Sequence, residues 1–171
     1  MDVETQRSEG MQRVARMIED IRVCMLTTVD EAGRLVSRPM SALHMDATGA
    51  IRFFTSRTSS KTGQLGNVNI AFVNESDADY VSIAGRGELE VDREMIEALW
   101  TSAAEPWFPK GKDDPDLALL RVDVETAEIW DANDSRMVRL IAMATAVVTG
   151  QPNAVLMGEN ELVRNRIQYH P

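Results

Sequence analysis

Between residues 21 and 91 the chain runs in strand-length segments of apolar and β-branched residues, several with a period of two, and most of their connections are short. Parallel strands need a crossover of about a dozen residues or more, whereas antiparallel strands can join through a tight turn. The spacing therefore predicts hairpins and excludes a βαβ wind. Ile21–Val29 leads through Asp30-Glu31-Ala32-Gly33 into a return strand, Arg34–His44. Met45-Asp46-Ala47-Thr48-Gly49 makes the next turn and Ala50–Thr55 a third strand. Val68, Ile70 and Phe72 alternate with Asn69, Ala71 and Val73 in a fourth. A fifth, Tyr80–Val91, puts Val81, Ile83, Gly85, Gly87 and Leu89 on one face, and the glycines suggest a bend or a close backbone approach. Leu119–Trp130 is a sixth, with Leu120, Val122 and Val124 facing one way.

Helices are expected around this sheet. Met11, Val14, Ala15 and Ile18 fall at i, i+3, i+4 and i+7, which predicts an amphipathic helix over 3–20. Asp92 can cap a second, with Met95, Ile96, Leu99 and Trp100 as its buried stripe. Met137 to about Thr149 can form a third, and the polar tail beyond Gly150 reads as poorly ordered or docked on a partner. Antiparallel sheets of this size tend to curl into barrels, which removes sticky edges.

The net charge of −9 argues against nucleic acid and against a basic membrane anchor, both of which need clustered Lys and Arg. Met1-Asp2-Val3-Glu4 shows no basic region followed by an apolar stretch, so no signal peptide is expected, and the longest apolar-rich run, Leu140–Thr149, is about half of a membrane span. One cysteine, Cys24, lies in an apolar strand and reads as a core residue in a reducing, cytoplasmic setting. The two histidines, His44 and His170, make no metal-ligand spacing with that cysteine, so no metal site is expected. With no nucleophile elbow, dinucleotide fingerprint or phosphate-binding P-loop, a cofactor would have to supply any chemistry.

Two stretches could hold one. In Ser37-Arg38-Pro39-Met40-Ser41, Arg38 and Met40 share a strand face, and Pro39 lacks a ladder donor, which suits an edge or a bulge. Arg38 there is a ligand or a plain solvated edge residue. Phe53-Phe54-Thr55-Ser56-Arg57-Thr58-Ser59-Ser60-Lys61 runs from a strand into a hydroxyl-rich loop. Hydroxyls, a lysine and helix N-terminal N–H groups suit a phosphate dianion, and equally suit an ordinary helix cap.

Together, S-R-P-M on one strand and F-F-T-S-x-x-S-x-K after the next resemble the pyridoxamine 5'-phosphate oxidase-like FMN-binding split-barrel family. Trp107-Phe108-Pro109-Lys110-Gly111-Lys112-Asp113-Asp114-Pro115-Asp116-Leu117, followed by Ala127-Glu128-Ile129-Trp130-Asp131, is similar to its general stress protein branch. The resemblance implies a mainly β (α+β) fold, a six-stranded antiparallel split β-barrel with peripheral helices. That domain would span 1–136, with a C-terminal helix and tail over 137–171. Two chains would form a homodimer with FMN sites at their interface. Arg38 and Lys61 would hold the FMN phosphate with help from Ser60, while the chain at Met40, Ser41, Phe54 and Thr55 would face the flavin ring. Trp130 would reach the flavin from the partner chain, with Arg136 on the substrate side; separately, the 105–117 loop sets Trp107 and Phe108 beside Lys110 and Lys112 and is expected to border the flavin pocket, which makes Trp107 a second substrate-side candidate. Trp107 and Phe108 have a second reading, as a plug in the barrel mouth.

The chain departs from the true oxidases at several places. Ser60 stands where they carry an arginine, Leu43 where they carry a substrate lysine, and Tyr80 where a glutamine is expected; Asp134-Ser135-Arg136-Met137 lacks their Arg-x-His-Asp run. Pyridoxamine-phosphate oxidation is therefore not expected. Two functions fit: a flavin-dependent oxidoreductase acting on a small substrate, or a non-catalytic flavin-binding stress protein serving as carrier, buffer or redox sensor. Haem binding would rest on His44 alone.

Overall fold

The computed structural model describes residues 1–59, 63 and 65–130, together with the backbone of 161–164. The elements run β1 Asp2–Val3, α1 Glu9–Ile18, β2 Val23–Val29, β3 Leu35–Ser41, β4 His44–Met45, β5 Ile51–Ser56, β6 Asn67–Asn74, β7 Asp79–Glu90, α2 Arg93–Leu99, a single 3-10 turn Ser102–Ala104, β8 Leu117–Trp130 and β9 Glu161–Arg164. All strands join one sheet in the order β1-β4-β5-β8-β7-β6-β2-β3, with β9 added to β8. The six long strands expected from sequence are β2, β3, β5, β6, β7 and β8, and their pairings are all antiparallel. The count of six missed β1, β4 and β9, which are two to four residues long and too short to show a period.

The sheet curls because β7 and β8 are long and kinked. Their register shifts between Ala84 and Gly85, where a bulge lets the pair bend. A Cβ on Gly85 would overlap the Asp123 carbonyl oxygen, so only glycine permits this backbone approach. One face of the curl encloses a core containing Leu26, Phe53, Ile70, Phe72, Ile83, Leu120 and Val122. Helix α1 belongs to it, burying Met11, Val14, Ala15 and Ile18, the four positions the sequence spacing selected. The helix starts later than expected. Ser8 caps it by accepting from the Met11 N–H, and the residues before are drawn into a parallel pairing with β4. There the Asp2 and Glu4 N–H groups donate to the Leu43 and Met45 carbonyls at 3.0 and 2.9 Å, so strand bonds replace helical ones.

Asp30 makes the predicted hairpin turn by accepting from the Ala32 and Arg34 N–H groups, both at 2.9 Å. Asp92 caps α2 through Met95, as its position suggested. Ile96 is buried, while Met95, Leu99 and Trp100 pack half-buried on a second core of Phe54, Leu117 and Leu119. This helix covers the outer face of the sheet near one end of β5 and β8. Next to it, Arg52 is buried between Asp46 and Glu90, donating to each at 2.8 Å. The helix expected from Met137 lies outside the described residues, and β9 shows that 161–164 joins the sheet. No helix of the described residues is long and apolar enough to cross a membrane.

Candidate functional site

Strand β3 ends the hydrogen-bonded path, and its Cα atoms come within 8 Å of β5, although none of its ladder bonds go there. This seam is the split in the barrel, and it brings together the two stretches that the sequence singled out. Arg38 and Met40 alternate inward on β3, half-buried, while Ser37, Pro39 and Ser41 face outward and are exposed. Pro39 can occupy an edge strand because its missing N–H needs no outer partner.

Arg38 donates from Nη1 to Thr28 Oγ1 at 3.1 Å across the β2–β3 pair. Among the described residues no carboxylate pairs with it, in a chain with 27 acidic side chains. A half-buried guanidinium bonded to a hydroxyl keeps donors with which it could meet an anion. The Met40 carbonyl accepts from the Cys24 thiol at 3.4 Å, and burial pushes that thiol up to about 12. Cys24 is therefore a core residue, as read from sequence, and not a nucleophile.

On the other side of the seam, Thr55 is buried opposite Ala118. Phe54 turns its ring into the second core, 5.6 Å from the Trp100 ring and 6.0 Å edge-on to Phe108. What β5 can offer a flavin at 54–55 is thus mainly backbone. The loop that follows is organised by Asp116. Its carboxylate accepts from Ser56 Oγ, from the Thr58 N–H at 3.1 Å and from Thr58 Oγ1 at 3.1 Å. Its carbonyl accepts from the Arg57 N–H at 2.8 Å. The Ser56 hydrogen bond, ahead of the Thr58 contacts, holds the Asp116 carboxyl below its ordinary range against the opposing pull of desolvation. Two of the loop's hydroxyls are accordingly spent on a carboxylate and are not offered to a ligand.

Sequence reasoning missed Asp116. No pattern along the chain marks it, because it acts only through the pairing of Ser56 with Leu117, which sets the end of β5 beside the residue before β8. Arg93, also missed, steadies that segment by donating to the Asp114 and Pro115 carbonyls at 3.1 and 3.4 Å. Ser60, Lys61 and Arg136 lie outside the described residues.

The 105–117 loop divides its two aromatics. Phe108 packs on Phe54 as a plug would, whereas Trp107 is 79% exposed. Lys112 pairs with Glu97 of α2. Trp130 is half-buried at the end of β8, directly opposite Tyr80 on β7. The ring nitrogens of His44 face Asp2 at 3.4 Å and Glu4 at 3.2 Å, which occupies the positions that a haem iron would need. A cavity of about 340 Å³ is lined by Val29, Asp30, Glu31, Gly63, Leu65 and Asn67. None of these is a predicted site residue, and its two carboxylates have the wrong sign for a phosphate.

Comparison with known proteins agrees with this geometry. The family model described as pyridoxamine 5'-phosphate oxidase like matches residues 9–153. General stress protein 26 of Bacillus subtilis is 30% identical over 135 residues, 75% of this chain and 94% of that protein. Protein bli-3 of Neurospora crassa is 25% identical over 168 residues, 91% of this chain and 80% of its own length. The crystal structure of the general stress FMN/FAD binding protein from Xanthomonas citri superposes with a TM-score of 0.60 at 33% identity, covering 72% of this chain and 89% of that one. With a split, mainly antiparallel barrel and a family model spanning most of its length, the chain belongs to the pyridoxamine 5'-phosphate oxidase-like family.

Proposed function

We propose that the protein binds FMN at the seam between β3 and β5 and acts as a flavin-dependent oxidoreductase on a small substrate. The observation that carries the reading is Arg38, a half-buried guanidinium paired to a hydroxyl and to no carboxylate among the described residues. A phosphomonoester would supply the missing charge, with Lys61 and Ser60 as the further donors expected from the motif. The name of the Xanthomonas citri protein supports a flavin and leaves open its adenylated form. When bound, the flavin supplies electron and hydride transfer. The chain's own part is to hold the phosphate, present the backbone at Met40–Ser41 and Phe54–Thr55 to the ring, and shield it from water.

The site is completed in this reading by a second copy of the chain. The outward face of β2, β6 and β7 exposes Val23 (57%), Met25 (42%), Val73 (47%) and Tyr80 (41%). Cross-strand register joins Pro39, Met25, Ala71 and Ser82 in one row, beside Val73, Tyr80 and Trp130 in another. An apolar patch reaching the seam strand β3 suits a two-fold partner that contributes Trp130. Light scattering should give a species of twice 19.0 kDa, and a single 19.0 kDa species at micromolar concentration would count against the dimer.

One observation favours a carrier or sensor without turnover. Asp116, at the end of the seam, is already engaged by Ser56 and Thr58, and His44 turns Nε2 toward Glu4 at 3.2 Å. Flavin released from the purified protein by heat identifies the cofactor chromatographically. Anaerobic bleaching of the bound flavin by NADH or NADPH then supports the oxidoreductase, and a flavin that neither donor reduces supports the carrier.

A further inference from the structure

Behind the seam, β2 meets two inward residues of β3 with polar groups, although its own inward face belongs to the barrel core. The Cys24 thiol donates to the Met40 carbonyl at 3.4 Å, and Thr28 Oγ1 accepts from Arg38 Nη1 at 3.1 Å. Thr28 is the more unusual of the two. It is 0% exposed, on the same face of β2 as Cys24 and Leu26, and lies directly across from Val36. Valine has nearly the shape of threonine without a hydroxyl to desolvate, so packing alone would favour valine there.

The register accounts for the contact. Arg38 lies across from Leu26 and Thr28 across from Val36, so the guanidinium reaches Thr28 diagonally over one step of the ladder. An arginine on the last strand of the path, beside an open seam, has many rotamers to choose from. A bond from Nη1 to a fully buried hydroxyl selects among them. The partner's chemistry matters as well. A carboxylate at position 28 would hold the arginine and neutralise it, whereas a hydroxyl holds it and leaves its charge and its remaining N–H donors for another group.

We propose that Thr28 is the positioning residue for Arg38, holding the guanidinium in one conformation with its full charge so that it meets the anionic end of the flavin preorganised. This deepens the FMN reading above and rests on it. Donors ordered in the folded state bind more tightly, because the cost of ordering them is met in folding and not in binding.

Packing and positioning forecast opposite orders for two substitutions. Thr28→Val keeps the shape and deletes the hydroxyl, while Thr28→Ser keeps the hydroxyl and deletes a buried methyl. If Thr28 only fills the core, Thr28→Val binds FMN as wild type does and Thr28→Ser is the more damaging change. If it positions Arg38, Thr28→Val weakens FMN about three- to tenfold, the worth of one hydrogen bond. Thr28→Ser then stays within about twofold of wild type for FMN even though its melting temperature falls. Riboflavin lacks the phosphate and should not distinguish the three proteins.

The experiment is a fluorescence titration of FMN and riboflavin against wild type, Thr28→Val, Thr28→Ser, Arg38→Ala and the double variant of Arg38→Ala with Thr28→Val, with melting temperatures recorded alongside. In the Arg38→Ala background Thr28→Val should have no further effect, since the group it positions is gone. That result, with an FMN-specific loss in Thr28→Val and none in Thr28→Ser, supports the proposal. Unchanged FMN binding in Thr28→Val, an equal loss of both ligands, a matching loss in Thr28→Ser, or an undiminished effect of Thr28→Val without Arg38 overturns it. Should Thr28→Val fail to fold, Thr28→Ala against Thr28→Ser makes the same comparison at equal loss of the methyl. Failure of the FMN reading shows separately, as a wild type that binds FMN no better than riboflavin or an Arg38→Ala that leaves FMN unchanged. Either result takes the proposal with it and involves no change at position 28.

Discussion

Replacing Arg52 by Met tests how the outer face of the barrel is held. The guanidinium is 8% exposed and donates from Nε to Glu90 and from Nη1 to Asp46, each at 2.8 Å. Removing one partner of a buried pair costs about 3–5 kcal/mol, and partial exposure of the two carboxylates brings this below that range, to about 2–3 kcal/mol at pH 7. The pH dependence is the sharper part. Burial pushes the Asp46 carboxyl up, but hydrogen bonds from Thr48, Arg52 and the Ala50 and Thr48 backbone outweigh it and bring it to about 2. A folded-state value below the unfolded one gives stability that is present above the unfolded value, near 4, and lost as pH falls through the folded one. After discounting for solvent, that share is about 1–2 kcal/mol, lost between about pH 4 and 2. Urea denaturation of wild type and Arg52→Met should therefore show a gap that is steady from pH 7 to 5 and narrows below pH 4. A gap that does not change with pH, or one under about 0.5 kcal/mol at pH 7, would refute this account of the ion pairs.

Gly85→Ala should cost about 3 kcal/mol in the same denaturation assay, because its Cβ would overlap the Asp123 carbonyl oxygen at the bulge. Gly33→Ala, at a φ of +77° with open space around it, should cost only about 1 kcal/mol. Cys24, buried and with its thiol at about 12, should resist a thiol reagent at pH 8 until denaturant is added; fast native labelling would mean that the strand opens. Phe108→Ala should lower stability by about 1–3 kcal/mol through its contact with Phe54, while Trp107→Ala should stay within about 0.5 kcal/mol.

The long strands and both described helices were legible because each carries its period over enough residues to be seen. Val68, Ile70 and Phe72 on β6, and Met11, Val14, Ala15 and Ile18 on α1, are buried as their spacing requires. The short strands were not legible, since two residues such as His44 and Met45 have no period and pair only because the N-terminal segment comes to them. At the site, the S-R-P-M stretch singled out β3, and the residue pattern could not show that Arg38 bonds a hydroxyl and no carboxylate among the described residues. Phe54 and Thr55 read alike on the chain, yet their side chains point to opposite faces, and only the packing of Phe108 and Trp100 shows where the Phe54 ring goes. Asp116 was invisible for a similar reason. Its partners lie 58 to 60 residues away, and its role depends on the β5–β8 register.

The central claim is that a phosphate meets Arg38 and Lys61, and a parallel titration of FMN and riboflavin tests it directly. Bound FMN brings close to two negative charges to a chain already at −9, so its affinity must come from local donors. Each charge-assisted contact contributes roughly 1.5–3 kcal/mol, so Arg38→Ala or Lys61→Ala should weaken FMN about ten- to a hundredfold. Riboflavin should bind wild type poorly and be indifferent to either substitution. Equal FMN affinity in wild type, Arg38→Ala and Lys61→Ala would contradict the account.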